Sequence, residues 1–580
     1  MKTKNQSSIY KSWYSSILTL KSSKMNIENN KDVDRILKEN LLLKKEINNL
    51  KKSMAKLNVI GPKKNIRKQA MIKKHSVKTL KKSPHLVWEF KQKLELLPNI
   101  LETLLEVPNY SFKLPKAIRN YSSKIGFNEM LKIHKDYITR LIRNHGFKEA
   151  SRKYKECRNY IFALIEGRDV KHPAFTSSTS IKGLDFLDDW IHFYDLALRA
   201  SEGSKKAYAC LNTFLYSTRV LEESYEREIS SITDKPKNEI DPELLDEFKT
   251  FVSNKTKNKG IDEYIKQVVL ATPIELNFNN GSNGPNGELR LNSALRELIC
   301  IINDTEKLTC LQNLYNYFPN GQKLNNYISK FKDLDVKEIN YPKKSKKTIL
   351  RKIIQVTSPD LKMRDVAISD YWTQLSLQNF EIILYRIFDK YFPQIGLKSH
   401  SEAFKRALEA SIKYKEKYPK GLNSYDISDW SDRFNRSLQL IVIDEWFGKE
   451  IKDSWSKLVM ECDWFHPKTN SNISYGMGQG MGTRASMAIA TATYALFIEF
   501  VLRKEYKDEY RKDWYGVVGD DLYCLDPQGF IPLYFKRIEL PINNKGKFGT
   551  AKGRFLEFVS RVAWDETDVS RISGRIINRS

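Results

Sequence analysis

Between Val33 and Leu57, the residues Val33, Ile36, Asn40, Leu43, Ile47, Leu50, Met54 and Leu57 recur at alternating intervals of three and four. That is the heptad spacing of a helix with one narrow apolar seam. A polar residue within such a seam, here Asn40, can fix register, so the segment predicts either a homo-oligomer formed through the heptad at 33–57 or one amphipathic helix packed on its own protein. From about 61 to 340 the apolar spacing is mostly helical, broken by "NNGSNGPNGE", Asn279 to Glu288, because Gly, Asn and Pro sustain neither regular period. Three regions follow: 1–60, a basic tail with the heptad helix; 61–340, a mostly helical region; and 341–580, where short apolar runs alternate with helical ones.

The longest apolar stretch, Ala485 to Leu502, contains Ser, Thr and Glu499, which predicts a buried helix and no integral membrane segment. Val517-Val518 and Leu522 to Leu525 read as two short buried strands. Gly519 between them permits a tight reversal that sets Asp520 and Asp521 at a hairpin tip. Tyr425-Asp426-Ile427 reads as another strand end, with Phe434, Leu438 and Ile441 giving the helical period that follows. Further upstream, Lys362 and Arg364 fall on one face of a predicted strand.

Composition narrows the partners. The chain carries 98 Lys and Arg against 70 Asp and Glu, a formal charge of +28, which attracts a phosphate backbone. Aromatics at 12% and hydrophobics at 41% point to a folded chain rather than a disordered basic one. The six cysteines have no paired spacing, so no structural zinc or redox motif is expected. Residues 1–27 hold no acid and several Lys, Ser and Thr, like an organelle-targeting segment but without its arginines.

Asp426 on a strand end and Asp520 at a hairpin tip are the residue types that nucleotidyl transfer needs, since two Mg²⁺ bridged by carboxylates activate the attacking hydroxyl and steady the leaving pyrophosphate. Asp is short and presents the hard oxygen ligands that Mg²⁺ demands. The competing reading of "DISDWSD" is an acidic helix start, with Asp429 serving only there. Gly476, Gly478, Gly480 and Gly482 alternate before a helix rich in small residues; they let a backbone approach phosphates or bases closely, or else form a flexible loop ahead of a core helix. Lys362 and Arg364 suit a triphosphate that must be clamped.

In this order the motifs resemble a viral RNA-dependent RNA polymerase of the mitovirus and narnavirus-like group, from about Ser358 to Ser573. "KMRDVAISDYWTQ" resembles the basic fingers motif with its Asp-Tyr-Trp-Thr-Gln tail, and "DISDWSDR" the first palm motif. "GQGMGTRAS" is similar to a Gly-Gln-Pro-Met-Gly-x-x-Ser-Ser loop, with Gly480 in place of the proline and Ala485 of the first serine. "GDD", "EFVSR" and "DVSRIS" resemble the metal-binding turn and the two elements after it.

The resemblance implies an α+β right-hand polymerase fold: an antiparallel palm sheet in 341–580, mostly helical fingers and N-terminal region, and a thumb short or absent. It implies template-directed RNA synthesis, replicating a viral RNA genome, with RNA template and product and ribonucleoside triphosphates as partners and Mg²⁺ or Mn²⁺ as cofactor. Asp426, Asp520 and Asp521 would hold metal, Asp432 would sense the ribose 2′ hydroxyl, Gly482 and Ser486 would shape the template and nucleotide loop, and Lys362 and Arg364 would grip the triphosphate. Lys545 and Lys547 remain tied as the proton donor to pyrophosphate. Compartment follows by resemblance as the host mitochondrion, with the cytoplasm as the alternative. Since 59 residues, Leu522 to Ser580, follow Asp521, one rival reading is a catalytically inactive RNA-binding remnant or fragment. A reverse transcriptase is the other rival, although its turn calls for an aromatic at Val518 and a bulky residue at Asp432.

Overall fold

A computed structural model describes residues 111–113, 124–168, 170–181, 184–220, 229–276, 283–331, 348–358, 362–419, 422–547 and 555–571. The heptad at 33–57 and the basic run at 63–82 lie outside them. Two short antiparallel pairs open the described chain, β1 (Ser111–Lys113) with β2 (Lys124–Gly126) and β3 (Ser178–Ile181) with β4 (Leu184–Leu187). Around them run α1 (Phe127–Glu166), which is interrupted at Gly146 by a non-helical φ of 73°, α2 (Tyr194–Ser201) and α3 (Lys205–Leu215). A single turn, α4 (Ser230–Thr233), comes next. The helices α5 (Pro242–Asn258), α6 (Ile261–Leu270), α7 (Arg290–Ile302), α8 (Thr305–Asn316) and α9 (Gly321–Ser329) follow. Asp241 caps α5 by accepting the Glu243 N–H at 3.0 Å, with Pro242 in the first turn where its missing N–H costs nothing.

The remainder is built on two four-stranded sheets. One has the order β6-β5-β8-β9, from β5 (Arg351–Ser358), β6 (Lys362–Ser369), β8 (Asp463–His466) and β9 (Ser471–Ser474). The other, antiparallel throughout, has the order β10-β11-β7-β12, from β7 (Leu422–Ile427), β10 (Tyr515–Val518), β11 (Asp521–Leu525) and β12 (Ile542–Lys547). Helices α10 (Tyr371–Tyr391), α11 (His400–Lys413), α12 (Trp430–Arg433), α13 (Arg436–Phe447), α14 (Lys449–Trp455), α15 (Ser486–Tyr506) and α16 (Phe530–Arg537) connect and cover these strands.

The apolar helix expected at 485–502 is α15, buried along most of its length and packed on β10, α10, α13 and α16. Ala488, Ala492 and Ala495 let these neighbours approach closely, while Phe497 and Phe500 meet Phe248 of α5 at ring-centroid distances of 5.6 and 5.8 Å. One continuous hydrophobic core therefore runs from Ile240 to Ala563, joining α5–α9 to the β10-β11-β7-β12 sheet, while Ile353, Ala367 and Trp464 of the other sheet form a small core of their own with Ile232 and Tyr475. A second core holds α1–α3 together with Phe555, Val562, Trp564 and Val569.

The three-stranded sheet β13 (Phe555–Phe558), β14 (Arg561–Trp564) and β15 (Thr567–Asp568) lies between the two cores. The period of two in β14 explains how: Val562 and Trp564 face the second core, whereas Ala563 faces the first. The described fold is thus α+β, with mainly antiparallel sheets and mostly helical structure between Phe127 and Ser329.

Candidate active site

The β10–β11 hairpin reverses through Gly519-Asp520, since Val518 pairs directly with Asp521. Gly519 takes the left-handed conformation, φ 61°, and Asp520 does not, which is the pattern of a type II′ turn with glycine first. The strands on either side are wholly buried at Val517, Val518 and Leu522. Apolar packing therefore fixes where the two aspartates stand.

β11 pairs on its other side with β7, and the register sets Asp521 opposite Asp426. Asp426 is also opposite Asn543 of β12. Asp426 and Asp520 line a single cleft of about 460 Å³, together with Asp429, Asp432, Arg364 and Met487. Beneath it the Tyr494 phenol is fully buried; burial first, then the neighbouring Cys524 and Asp520, holds it well above the usual phenol range. A larger cavity of about 1400 Å³, bordered by Arg296, Arg351 and Phe465, contains none of these acids.

Asp429 occupies the left-handed region, φ 50°, and its carbonyl accepts the N–H groups of Asp432 and Arg433 at 3.0 and 2.9 Å. The chain consequently turns sharply after β7 and delivers Asp432 to the same cleft. Asp432 is 6% exposed, and its Oδ2 accepts the Ser231 hydroxyl at 3.2 Å.

The glycine loop, expected either to let backbone approach phosphates or bases closely or to be a flexible loop ahead of a core helix, is packed against protein at three of its glycines. A Cβ on Gly476, Gly478 or Gly480 would stand 2.0 Å from the Asp234 carbonyl oxygen, 2.1 Å from the Ser431 carbonyl oxygen and 2.5 Å from Ala367 Cβ, respectively. Protein packs against all three, backbone at Gly476 and Gly478 and the side chains of Ala367 and Trp464 at Gly480. Gly478 and Gln479 donate to the carbonyls of Asp432 and Ser431 at 2.9 and 3.0 Å, and the Met481 carbonyl accepts the Ala367 N–H at 2.7 Å. The loop thus ties the Asp432 turn to β6.

Gly482, φ 111°, in this loop, and Ser486, the first residue of α15, are not among the residues lining the cleft, and the Ser486 hydroxyl donates to the Thr483 carbonyl at 2.7 Å. Met481 and Met487 beside them do line it.

Arg364, on β6, is exposed, lines the cleft and points a guanidinium nitrogen at Met481 Sδ, 3.9 Å away. Lys362 begins the same strand two residues earlier. Lys545 falls at the register irregularity of β12, between Asn544 and Gly546, and Lys547 is opposite Asn423; no described side chain distinguishes the two.

Gln374, the last residue of the Asp-Tyr-Trp-Thr-Gln tail, has a part that the sequence did not assign to it. It is 2% exposed; its side-chain amide donates to the Gly482 carbonyl at 3.3 Å and accepts the Arg484 N–H at 2.9 Å. Ser231 was missed as well, because nothing in the spacing of its neighbours marks it.

Among the described residues no three His, Cys, Asp or Glu side chains converge tightly enough to enclose a metal by themselves. Mg²⁺ characteristically keeps water and substrate phosphate in its shell and needs one or two carboxylates from the protein. Asp426 and Asp520 facing one cleft, with Asp521 opposite Asp426, fit that requirement as hard oxygen donors.

The family model described as mitovirus RNA-dependent RNA polymerase matches residues 266–577, just over half of the chain. No curated protein matches. Among solved structures, the insertion-loop deletion mutant of the RNA-dependent RNA polymerase of a human picorbirnavirus is similar at 14% identity, over 40% of this chain and 48% of that one, with a TM-score of 0.30. The chain therefore spans about half the length of that polymerase.

Proposed function

The chain belongs to the mitovirus RNA-dependent RNA polymerase family, and on that premise we propose that it copies a viral RNA genome by template-directed addition of ribonucleotides to a 3′ end. The observation that carries this reading is the meeting of Asp426 and Asp520 in one cleft, with Asp521 in register opposite Asp426. In this reading the β10-β11-β7-β12 sheet is the palm, the β6-β5-β8-β9 sheet and its covering helices are the fingers, and 61–340 is the N-terminal extension with part of the fingers.

Asp426 and Asp520 are the principal metal ligands and Asp521 the supporting one. Bound Mg²⁺ or Mn²⁺ supplies activation of the 3′ hydroxyl and neutralisation of the leaving pyrophosphate. Arg364 and Lys362 steer the triphosphate by charge, and Asp432 accepts the ribose 2′ hydroxyl. Either Lys545 or Lys547 delivers a proton to the pyrophosphate. The loop through Gly482 and Ser486 sets template and nucleotide position indirectly, by holding the Asp432 turn against β6. Replication in the host mitochondrion is the compartment this family membership favours.

A reverse transcriptase is disfavoured by Val518, where an aromatic would be expected, and by a buried acid at Asp432. Offering the purified chain an RNA template with ribonucleotides or deoxyribonucleotides tests the assignment. Preferential use of deoxyribonucleotides would transfer the protein to the reverse transcriptase class.

A further inference from the structure

The turn α4 precedes the region that matches the polymerase family, which begins at residue 266. With the residue that follows it, the turn is nevertheless fastened to the candidate site at three points. The Ser231 hydroxyl donates to Asp432 Oδ2 at 3.2 Å, the Ile232 carbonyl accepts the Gly476 N–H at 2.8 Å, and the Asp234 carboxylate accepts an Arg433 guanidinium N–H at 2.9 Å. There is no slack in the seat, since a Cβ on Gly476 would lie 2.0 Å from the Asp234 carbonyl oxygen. Ser231 itself is 8% exposed.

The backbone of Asp432 is already fixed without this segment, its N–H by the Asp429 carbonyl and its C=O by the Gly478 N–H. What those bonds leave undetermined is the terminal torsion of the carboxyl group, which is intrinsically broad for Asp. A hydroxyl holding one carboxylate oxygen in a buried setting removes that freedom and thereby sets the direction of the second oxygen.

We propose that Ser231 is a positioning residue for ribonucleotide selection, orienting the Asp432 carboxylate for the ribose 2′ hydroxyl. This rests on the assignment of Asp432 made above. It makes a segment outside the family-matched region part of the selectivity apparatus.

The test compares wild type, Ser231→Ala, Ser231→Thr, Asp432→Ala and Ser231→Ala/Asp432→Ala in the full chain, with melting temperature recorded for each. One arm measures kcat/KM for single incorporation of ATP and of dATP on an RNA primer-template. A second measures displacement of a fluorescent ATP analogue by ATP and by dATP at equilibrium, and requires no turnover. Ser231→Ala is expected to reduce the ATP/dATP ratio by about 3- to 10-fold, the scale of one hydrogen bond to a charged group acting in part. Ser231→Thr, which keeps the hydroxyl, restores the ratio, and adding Asp432→Ala to Ser231→Ala lowers it no further than Asp432→Ala does alone. An unchanged ratio in Ser231→Ala overturns the proposal, as does a fall of equal factor for both nucleotides, the signature of a merely structural residue. If wild type extends nothing yet prefers ATP in the binding arm, the polymerase reading falls while the binding ratios still decide the role of Ser231. If wild type prefers neither nucleotide in either arm, both fall.

Discussion

Asp521 and Asp426 occupy directly opposed positions on adjacent antiparallel strands, with Asp520 one residue away at the hairpin tip. Like charges in that relationship repel, at a cost of about 0.2–1 kcal/mol for a cross-strand pair. A cation joining the pair would offset that cost. Asp521→Asn is accordingly expected to raise stability by about that amount in EDTA, measured by urea denaturation. Mg²⁺ or Mn²⁺ should raise the melting temperature of wild type, because a ligand of the native state stabilises it, and should do so much less in Asp426→Asn. A drop in metal-free stability for Asp521→Asn would show that the pair is held by something other than awaited charge.

Gln374 tests the bridge between α10 and the glycine loop. Gln374→Ala removes the partner of the Gly482 carbonyl and the Arg484 N–H at a part-buried joint, for an expected loss of ~0.5–1.5 kcal/mol. Thermal denaturation checks the stability, and a melting temperature equal to that of wild type would mean the loop holds itself.

Gly478 tests whether the loop glycines serve packing. The methyl of Gly478→Ala would need to displace the Ser431 carbonyl, 2.1 Å away, and with it the turn that carries Asp432. Overpacking predicts a loss of ~1–3 kcal/mol, and misplacement of the site by about 1 Å predicts a loss of nucleotide incorporation of order 100-fold. Full stability and activity in this variant would return the glycines to the role of an open ligand cradle.

Glu297 gives a pH dependence. It is fully buried, accepts the Tyr371 N–H at 2.9 Å at the head of α10, and is pushed up to about 7 by burial first and by Asp370 second. A carboxyl raised on folding holds its proton more tightly in the native state. Its contribution to stability is therefore full below the unfolded value of about 4.5 and is lost as pH rises toward 7. Between pH 5 and 7 the melting temperature of wild type should fall relative to that of Glu297→Gln, which cannot titrate. Parallel profiles would remove Glu297 as the cause.

The aspartates and the basic strand were legible because each is marked by local chemistry: glycine and two acids between apolar runs, an acid at a strand end, alternate cations. Their convergence follows from the β7–β11 pairing, which apolar alternation makes favourable. The glycine loop was legible as a feature and not in its role, since whether a glycine approaches a ligand or protein backbone depends on what the fold brings near. Gln374 was legible only as the end of the Asp-Tyr-Trp-Thr-Gln tail, without its role, and Ser231 was not legible at all. Each acts across a large sequence separation, 108 residues to Gly482 and 201 to Asp432, and a single polar side chain leaves no periodic trace. The C-terminal sheet shared between two cores was hidden for the same reason, because its alternation announces two buried faces without saying against what.

The central claim is that Asp426 and Asp520 together support metal-dependent RNA synthesis. Its most direct measurement is single-nucleotide extension of an RNA primer-template by the purified chain with Mg²⁺ and, separately, Mn²⁺, beside Asp520→Ala and Asp426→Ala. The account predicts metal-dependent extension by wild type that EDTA abolishes and a loss of at least about 100-fold in either variant, on the scale of removing a principal electrostatic stabiliser. Extension by the variants equal to that of wild type, or none by wild type with either metal, would contradict it.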